Sequence, residues 1–309
     1  MFLSITQMVL PVVLTFLLGC FCRQRQILKP EGLAGVRALV SSILLPVVLF
    51  NAFFTAEYSG KIALTFAAVF ISCSLGLGAG FLLRRFAAPY GKFMPFLVTN
   101  FEGGMLGYAL FGLLYPGQTA TFAMVDVGQT LCAHTVFLVA LVAVSGGDAR
   151  PGVLLRQAFS TPALIGSLLG ILLGVLGVGR AVLSSAAGPI VSGVISFITA
   201  PTSALILIIV GYDLSFRREL MRPVVTTIAL RLAVMACLLL VGSAIIFHII
   251  PFEKPLFTAL LLAYSLPAPF IVPLYADVTG RADYILTTLS MQTILSIILF
   301  IGIAAYSLA

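Results

Sequence analysis

Tryptophan is absent from the chain, histidine occurs only at 134 and 248, and Lys, Arg, Asp and Glu together supply 9% of its 309 residues. A soluble globular chain has about a quarter of its residues charged, so this shortage excludes a water-soluble fold. Disorder is excluded from the other direction, because 61% of the residues are hydrophobic and that much apolar surface does not stay solvated. Enzyme signatures are missing too. There is no His-Glu-x-x-His pair and no paired Asp-rich segment for prenyl transfer, and neither Gly60-Lys61 nor Gly91-Lys92 has the surroundings of a phosphate-binding loop. These gaps argue against an enzyme and, with no nucleotide site, against a primary pump. Five cysteines, at 20, 22, 73, 132 and 237, lie inside apolar runs without the spacing of a disulfide framework or a zinc site. No metal and no cofactor is expected. The first ten residues lack the basic start and small-residue cleavage site of a signal peptide, so the first apolar run is expected to be retained.

What is present is apolar length. Runs at about 4–22, 33–54, 61–82, 92–114, 119–143, 161–178, 188–211, 224–250, 256–276 and 283–306 are separated by short polar breaks. A membrane-crossing helix needs about 20 mostly apolar residues, so the expected fold is an all-α polytopic membrane protein of about ten transmembrane helices. The net charge of +7 and pI of about 9.4 then find their explanation in the bilayer and not in nucleic acid. Assigning loops to alternate sides puts 13 of the 17 basic residues on one side: Arg23, Arg25, Lys29, Arg37, Arg84, Arg85, Lys92, Arg150, Arg156, Arg217, Arg218, Arg222 and Arg281. The positive-inside rule makes that side cytoplasmic and leaves both termini outside, in a bacterial inner (plasma) membrane.

The two halves carry the same marks in the same order. Pro11 and Pro162 open the series, Pro46 and Pro201 follow, and Val127-Gly-Gln-Thr-Leu131 is echoed by Ser290-Met-Gln-Thr-Ile294. Five spans per half is an odd number, so residues 1–144 and 157–309 are expected to form a 5+5 inverted repeat, the arrangement of many secondary transporters. The fourth span of each half is the most interrupted. Span 4 carries Gly103 and Gly104, and span 9 carries Pro267-Ala268-Pro269. Gly pairs and Pro-x-Pro triplets break the intrahelical hydrogen-bond ladder, and backbone freed at membrane depth is tolerated only where protein or a water-filled cavity satisfies it. Two half-helices meeting there would turn bare amides toward an anionic group.

With those residues in view, the Leu45-Pro-Val-Val-Leu-Phe50, Asn100-Phe-Glu-Gly-Gly-Met-Leu-Gly107 and Val210-Gly-Tyr-Asp-Leu214 segments and the proline-rich stretch 263–276 resemble the auxin efflux carrier family, including its bacterial malonate and malate permease-like members. The resemblance runs along essentially the whole chain. It implies crossed broken helices 4 and 9, in the fold of sodium/bile-acid symporters and sodium/proton antiporters. Spans 1, 2, 6 and 7 would be a scaffold with a homodimer contact, and spans 3–5 and 8–10 a moving transport domain of elevator type. Asn100 matches the family's polar crossover position, Pro267 the crossover proline, and Pro46 and Pro201 the scaffold prolines. Two departures, Glu102 after the crossover Asn and the absence of a carboxylate in 64–82, argue against auxin itself as substrate.

The expected substrate-binding set is Asn100, Glu102, Gly103, Gly104, Asp126, Gln129, Pro267, Ala268, Pro269 and Gln292, with Glu102, Asp126 and His134 as candidates to carry a coupling ion. An intramembrane carboxyl is costly and marks a proton or solute pathway, or is held protonated on a broken-helix carbonyl. Asp126, Gln129, Thr130 and His134 fall on one helical face, which suits a cavity wall or plain interhelical hydrogen bonding. Arg231, inside span 8, is read as snorkelling to the interface or meeting a substrate carboxylate. Gly166, Gly170 and Gly174 repeat every fourth residue, as in close helix packing. The expected function is a secondary carrier for a small organic anion such as a dicarboxylate or auxin-like acid. A carrier-like sensor, or a cation- or proton-coupled transporter of a neutral or cationic solute, is the alternative.

Overall fold

A computed structural model describes residues 2–56, 60–146, 152, 161–275 and 281–308. Arg150 and Arg156, the boundary at 157 and Ala276 lie outside the described residues. Every regular element among the described residues is helical. In order these are α1 (Phe2–Gln24), α2 (Pro30–Leu39), α3 (Leu45–Phe54), α4 (Gly60–Leu83), α5 (Met94–Val98), α6 (Tyr108–Leu114), α7 (Thr119–Cys132), α8 (Leu138–Ser145), α9 (Pro162–Val175), α10 (Val178–Leu183), α11 (Gly188–Thr199), α12 (Thr202–Tyr212), α13 (Met221–Ile249), α14 (Lys254–Ser265) and α15 (Ala282–Leu308). Short 3₁₀ and π turns join some of them. The π turn Val40–Leu44 fuses α2 to α3, and the π turn Ala133–Phe137 fuses α7 to α8.

Helix starts follow proline. Pro30, Pro46, Pro95, Pro162, Pro189 and Pro255 sit in the first turn of their helices, where the missing N–H costs nothing and the fixed φ favours the helix. Pro201 separates α11 from α12 within one apolar run.

Eight stretches among the described residues are long and apolar enough to cross a bilayer, and α13 alone, at 29 residues, is about 43 Å long. The expected spans at 161–178 and 256–276 hold the shorter helices α9 and α14. α14 is short because the chain leaves helical geometry at Leu266, ahead of Pro267. Large apolar side chains point outward along these helices, among them Phe197, 86% exposed, and Leu240, 70% exposed. Such a surface suits hydrocarbon and not water. The chain is a multi-pass helical membrane protein.

Glycines set the closest packing. A Cβ on Gly166 would sit 2.5 Å from the Pro46 carbonyl oxygen, and one on Gly170 would sit 2.6 Å from that of Phe50. The glycine stripe of α9 is therefore spent inside the chain, against α3.

Candidate functional site

The most deeply enclosed backbone surrounds the interrupted segments. Met94, Phe96, Leu97 and Val98 of α5 are wholly buried, as are Thr99, Asn100 and Phe101 beyond it. α5 ends where Thr99 turns extended, and the next residue, Asn100, takes a φ of +52°, a left-handed conformation that Asn tolerates better than other side chains. The chain then runs through Glu102 into the π turn Gly103–Gly107 and on to α6. In the second half, α14 gives way to an extended stretch from Leu266 through Ala268. The two stretches touch where Glu102 N–H donates to the Pro267 carbonyl at 2.9 Å.

Freed backbone groups here find side-chain partners, as the low dielectric demands. Gln292, 2% exposed, takes the Ala268 N–H on its Oε1 at 2.9 Å and donates through Nε2 to the Leu97 carbonyl at 2.8 Å. It therefore links both interruptions. Gln129 Nε2 donates to the Phe101 carbonyl at 2.8 Å. Pro269 closes a turn, its carbonyl accepting from Val272 N–H at 3.2 Å.

Arg231 is 4% exposed and neither reaches the interface nor faces a carboxylate. Its guanidinium donates to Leu97 O at 3.3 Å, Thr99 O at 3.1 Å, Asn100 O at 2.7 Å and Leu266 O at 2.6 Å. These carbonyls lie at the C-terminal ends of α5 and α14, where helix dipoles concentrate negative charge and where a fork of donors fits. The sequence shows a charge within an apolar run. That this charge answers the two broken helix ends is a tertiary fact.

Glu102 holds the opposite pole. Its Oε1 accepts Met105 N–H at 3.2 Å and its Oε2 accepts Phe270 N–H at 2.7 Å, so a single carboxylate joins backbone from both interruptions. Asp126, 1% exposed, stands against Gly103, where any Cβ would collide with Oδ1. Thr130 donates to Asp126 Oδ2 at 3.3 Å, while Oδ1 has no hydrogen-bond partner. Beside it stands the buried hydroxyl of Tyr108, a donor placed to meet the Asp126 carboxyl. Tyr108 escapes sequence reasoning because an aromatic in an apolar run reads as core. The carboxyls of Glu102 and Asp126 are close enough to repel each other, and no basic side chain forms an ion pair with either among the described residues.

The remaining candidates sit at greater remove. Asn100 is buried, its Oδ1 accepting from Thr99 Oγ1 at 3.3 Å and its Nδ2 left without a partner. A Cβ on Gly104 would rest 3.5 Å from the Leu45 side chain, an ordinary contact. His134 turns its Nδ1 to the Thr130 carbonyl at 2.8 Å, away from the carboxyls. No group of three or more His, Cys, Asp or Glu among the described residues is placed to hold a metal ion.

The chain therefore has at its centre a half-buried and a buried carboxyl, one buried guanidinium and two glutamine bridges, gathered around interrupted helices. No family model matches the chain. It is similar to an uncharacterized transporter of Methanothermobacter thermautotrophicus, with 24% identity over 306 residues, covering 96% of each chain. That full-length similarity and the apolar helices support a transporter.

Proposed function

We propose that the chain is a secondary active carrier for a small organic anion, a carboxylate, coupled to protons at the Glu102 and Asp126 carboxyls. The observation that carries this reading is the seat of Glu102, a carboxylate held by one amide from each interruption at the middle of the chain. Backbone arranged in this way suits a carboxylate, and carriers place their sites where interrupted helices meet. A proton is the natural companion, because two neighbouring carboxyls without a paired cation favour loading one of them.

In this reading the ten expected spans form a 5+5 inverted repeat, with spans 3–5 and 8–10 moving as one transport domain past a scaffold of spans 1, 2, 6 and 7. Pro46 and Pro201 are the hinge prolines of the scaffold, a homodimer forms through the scaffold, and the termini lie outside the cytoplasm of a bacterial inner membrane. The marks repeated between the halves and the one-sided basic residues support this arrangement.

The unpaired Oδ1 of Asp126 favours a second reading, in which a cationic or neutral solute is carried and the acidic centre attracts it. Purified protein in proteoliposomes decides between them. Uptake of a labelled mono- or dicarboxylate driven by an inward proton gradient is the expected result. If no acid moves above protein-free liposomes with or without a proton or sodium gradient, the anion-carrier reading fails; uptake of an amine under the same conditions would establish the second.

A further inference from the structure

The centre of the molecule already holds a carboxylate before any solute arrives. Glu102 uses both of its oxygens, one on the Met105 amide and one on the Phe270 amide. Its setting differs from that of a permanent cap. Gln292, which also serves interrupted backbone, is sealed at 2% exposure, whereas Glu102, Gly104, Met105 and Phe270 are all half-buried. The two amides therefore lie in a less tightly closed part of the centre than the Gln292 bridge does. Around them, spare donors are scarce. Arg231 spends its guanidinium on four carbonyls, and the unpartnered Asn100 Nδ2 is enclosed on a wholly buried residue. Independently, Asp126 sets a second buried carboxyl against Gly103, with the Tyr108 hydroxyl as its neighbouring donor and no cation paired with it among the described residues. A site with this much negative charge accepts a further anion only if a resident charge is cancelled.

We propose that a transported carboxylate binds by displacing Glu102 from the Met105 and Phe270 amides, Glu102 leaving them as the neutral acid. This deepens the carrier reading and rests on it for the word transported. Glu102 is then a tethered stand-in for the solute. In the exchange the Glu102 carboxylate takes one proton from water on the loading side, and the two N–H donors pass from its oxygens to those of the incoming group. No bond to carbon changes, and one anion replaces another. The stand-in keeps the amides satisfied while the carrier is empty, and it ties one proton to each carboxylate group bound.

The test uses the full chain in detergent, with formate and methanesulfonate as probes. Glu102→Ala leaves both amides open, so formate at about ten times its Kd should raise the variant's Tm by roughly 3 °C while leaving the wild-type Tm unmoved near neutral pH. Methanesulfonate keeps its charge in acid, so it should bind the wild type more tightly at about pH 5 than near neutrality, as Glu102 is released. A folded, monodisperse Glu102→Ala protein whose Tm ignores formate overturns the proposal. Should that variant not fold, the wild-type methanesulfonate titration decides, and an affinity that does not rise on acidification is the overturning result. Transport in liposomes without formate rescue removes the displacement and leaves the carrier. Rescue without transport removes the carrier and leaves the anion site.

Discussion

Arg231 donates to the carbonyl oxygen of Asn100 at 2.7 Å, joining α13 to the left-handed residue just past the end of α5. The same nitrogen also reaches Leu266 O, so a single side chain ties off both interrupted helices. Its charge is compensated by backbone carbonyls and not by a carboxylate. Burying an unpaired cation would otherwise be prohibitive. With Glu102 on two amides nearby, the centre carries a positive pole where helices end and a negative pole where backbone resumes.

Replacing Arg231 by Gln should therefore damage the fold first and transport second. Four charge-assisted hydrogen bonds vanish, and of the four carbonyls only Leu97 O keeps another side-chain donor, Gln292, so the loss is about 3 kcal/mol or more. Arg231→Lys should recover only part of it, because an ammonium cannot present a planar fork to carbonyls from two helices. Thermal unfolding of the three proteins in one detergent checks this. Equal Tm values for wild type and Arg231→Gln would refute the assigned role.

The glutamines should rank. Gln292 satisfies one donor and one acceptor of the backbone, Gln129 only an acceptor. Gln292→Leu strands the Ala268 N–H and should cost about 2 kcal/mol, whereas Gln129→Leu should cost about 1 kcal/mol because Phe101 O keeps the Gly103 N–H at 3.1 Å, just as Leu97 O keeps Arg231. Denaturation midpoints for both variants give the order, and the reverse order would mean that the Ala268 N–H finds another partner.

Much of this was legible in the sequence, because it follows from one-dimensional patterns. The scarcity of charge and the apolar runs point to a multi-pass helical protein, and the Gly103-Gly104 and Pro267-Ala268-Pro269 breaks mark the stretches that lose helical geometry around them. The Gln129 and Gln292 amides, picked out from their echoing motifs, both reach interrupted backbone. Long-range pairings were not legible. Arg231 is 131 residues from Asn100, and nothing local distinguishes a snorkelling arginine from one that caps two helix ends. Tyr108 reads as core until Asp126 is placed beside it.

Gly103 and Gly104 offer a test by a single methyl group. A Cβ at Gly103 would overlap Asp126 Oδ1, whereas one at Gly104 meets Leu45 at 3.5 Å. Gly103→Ala should displace the Asp126 carboxyl and lower uptake by about a hundredfold, the scale on which a displacement of about 1 Å at a reacting centre is felt. Gly104→Ala should keep uptake within a few-fold of wild type. Initial rates in proteoliposomes, normalised to reconstituted protein, read the contrast, and comparable rates for the two variants would detach Asp126 from the transport site.

The two carboxyls should separate by what each replacement leaves working. In the carrier reading, Glu102→Gln removes the group that must take up a proton, yet keeps a neutral side chain of the same size, like the protonated acid. Gradient-driven accumulation should be abolished while exchange of internal for external solute continues, because exchange returns the carrier loaded and needs no net proton movement. Asp126→Asn removes a negative charge that caps no backbone, since the groups that meet it are the Thr130 and Tyr108 hydroxyls. If Asp126 shares in coupling, this variant too should lose accumulation and keep exchange; if it only shapes the field around Glu102, accumulation should persist. Measuring both modes for both variants at several external pH values gives the assignment, and pH-driven uptake unchanged in Glu102→Gln would end the coupling role of that residue.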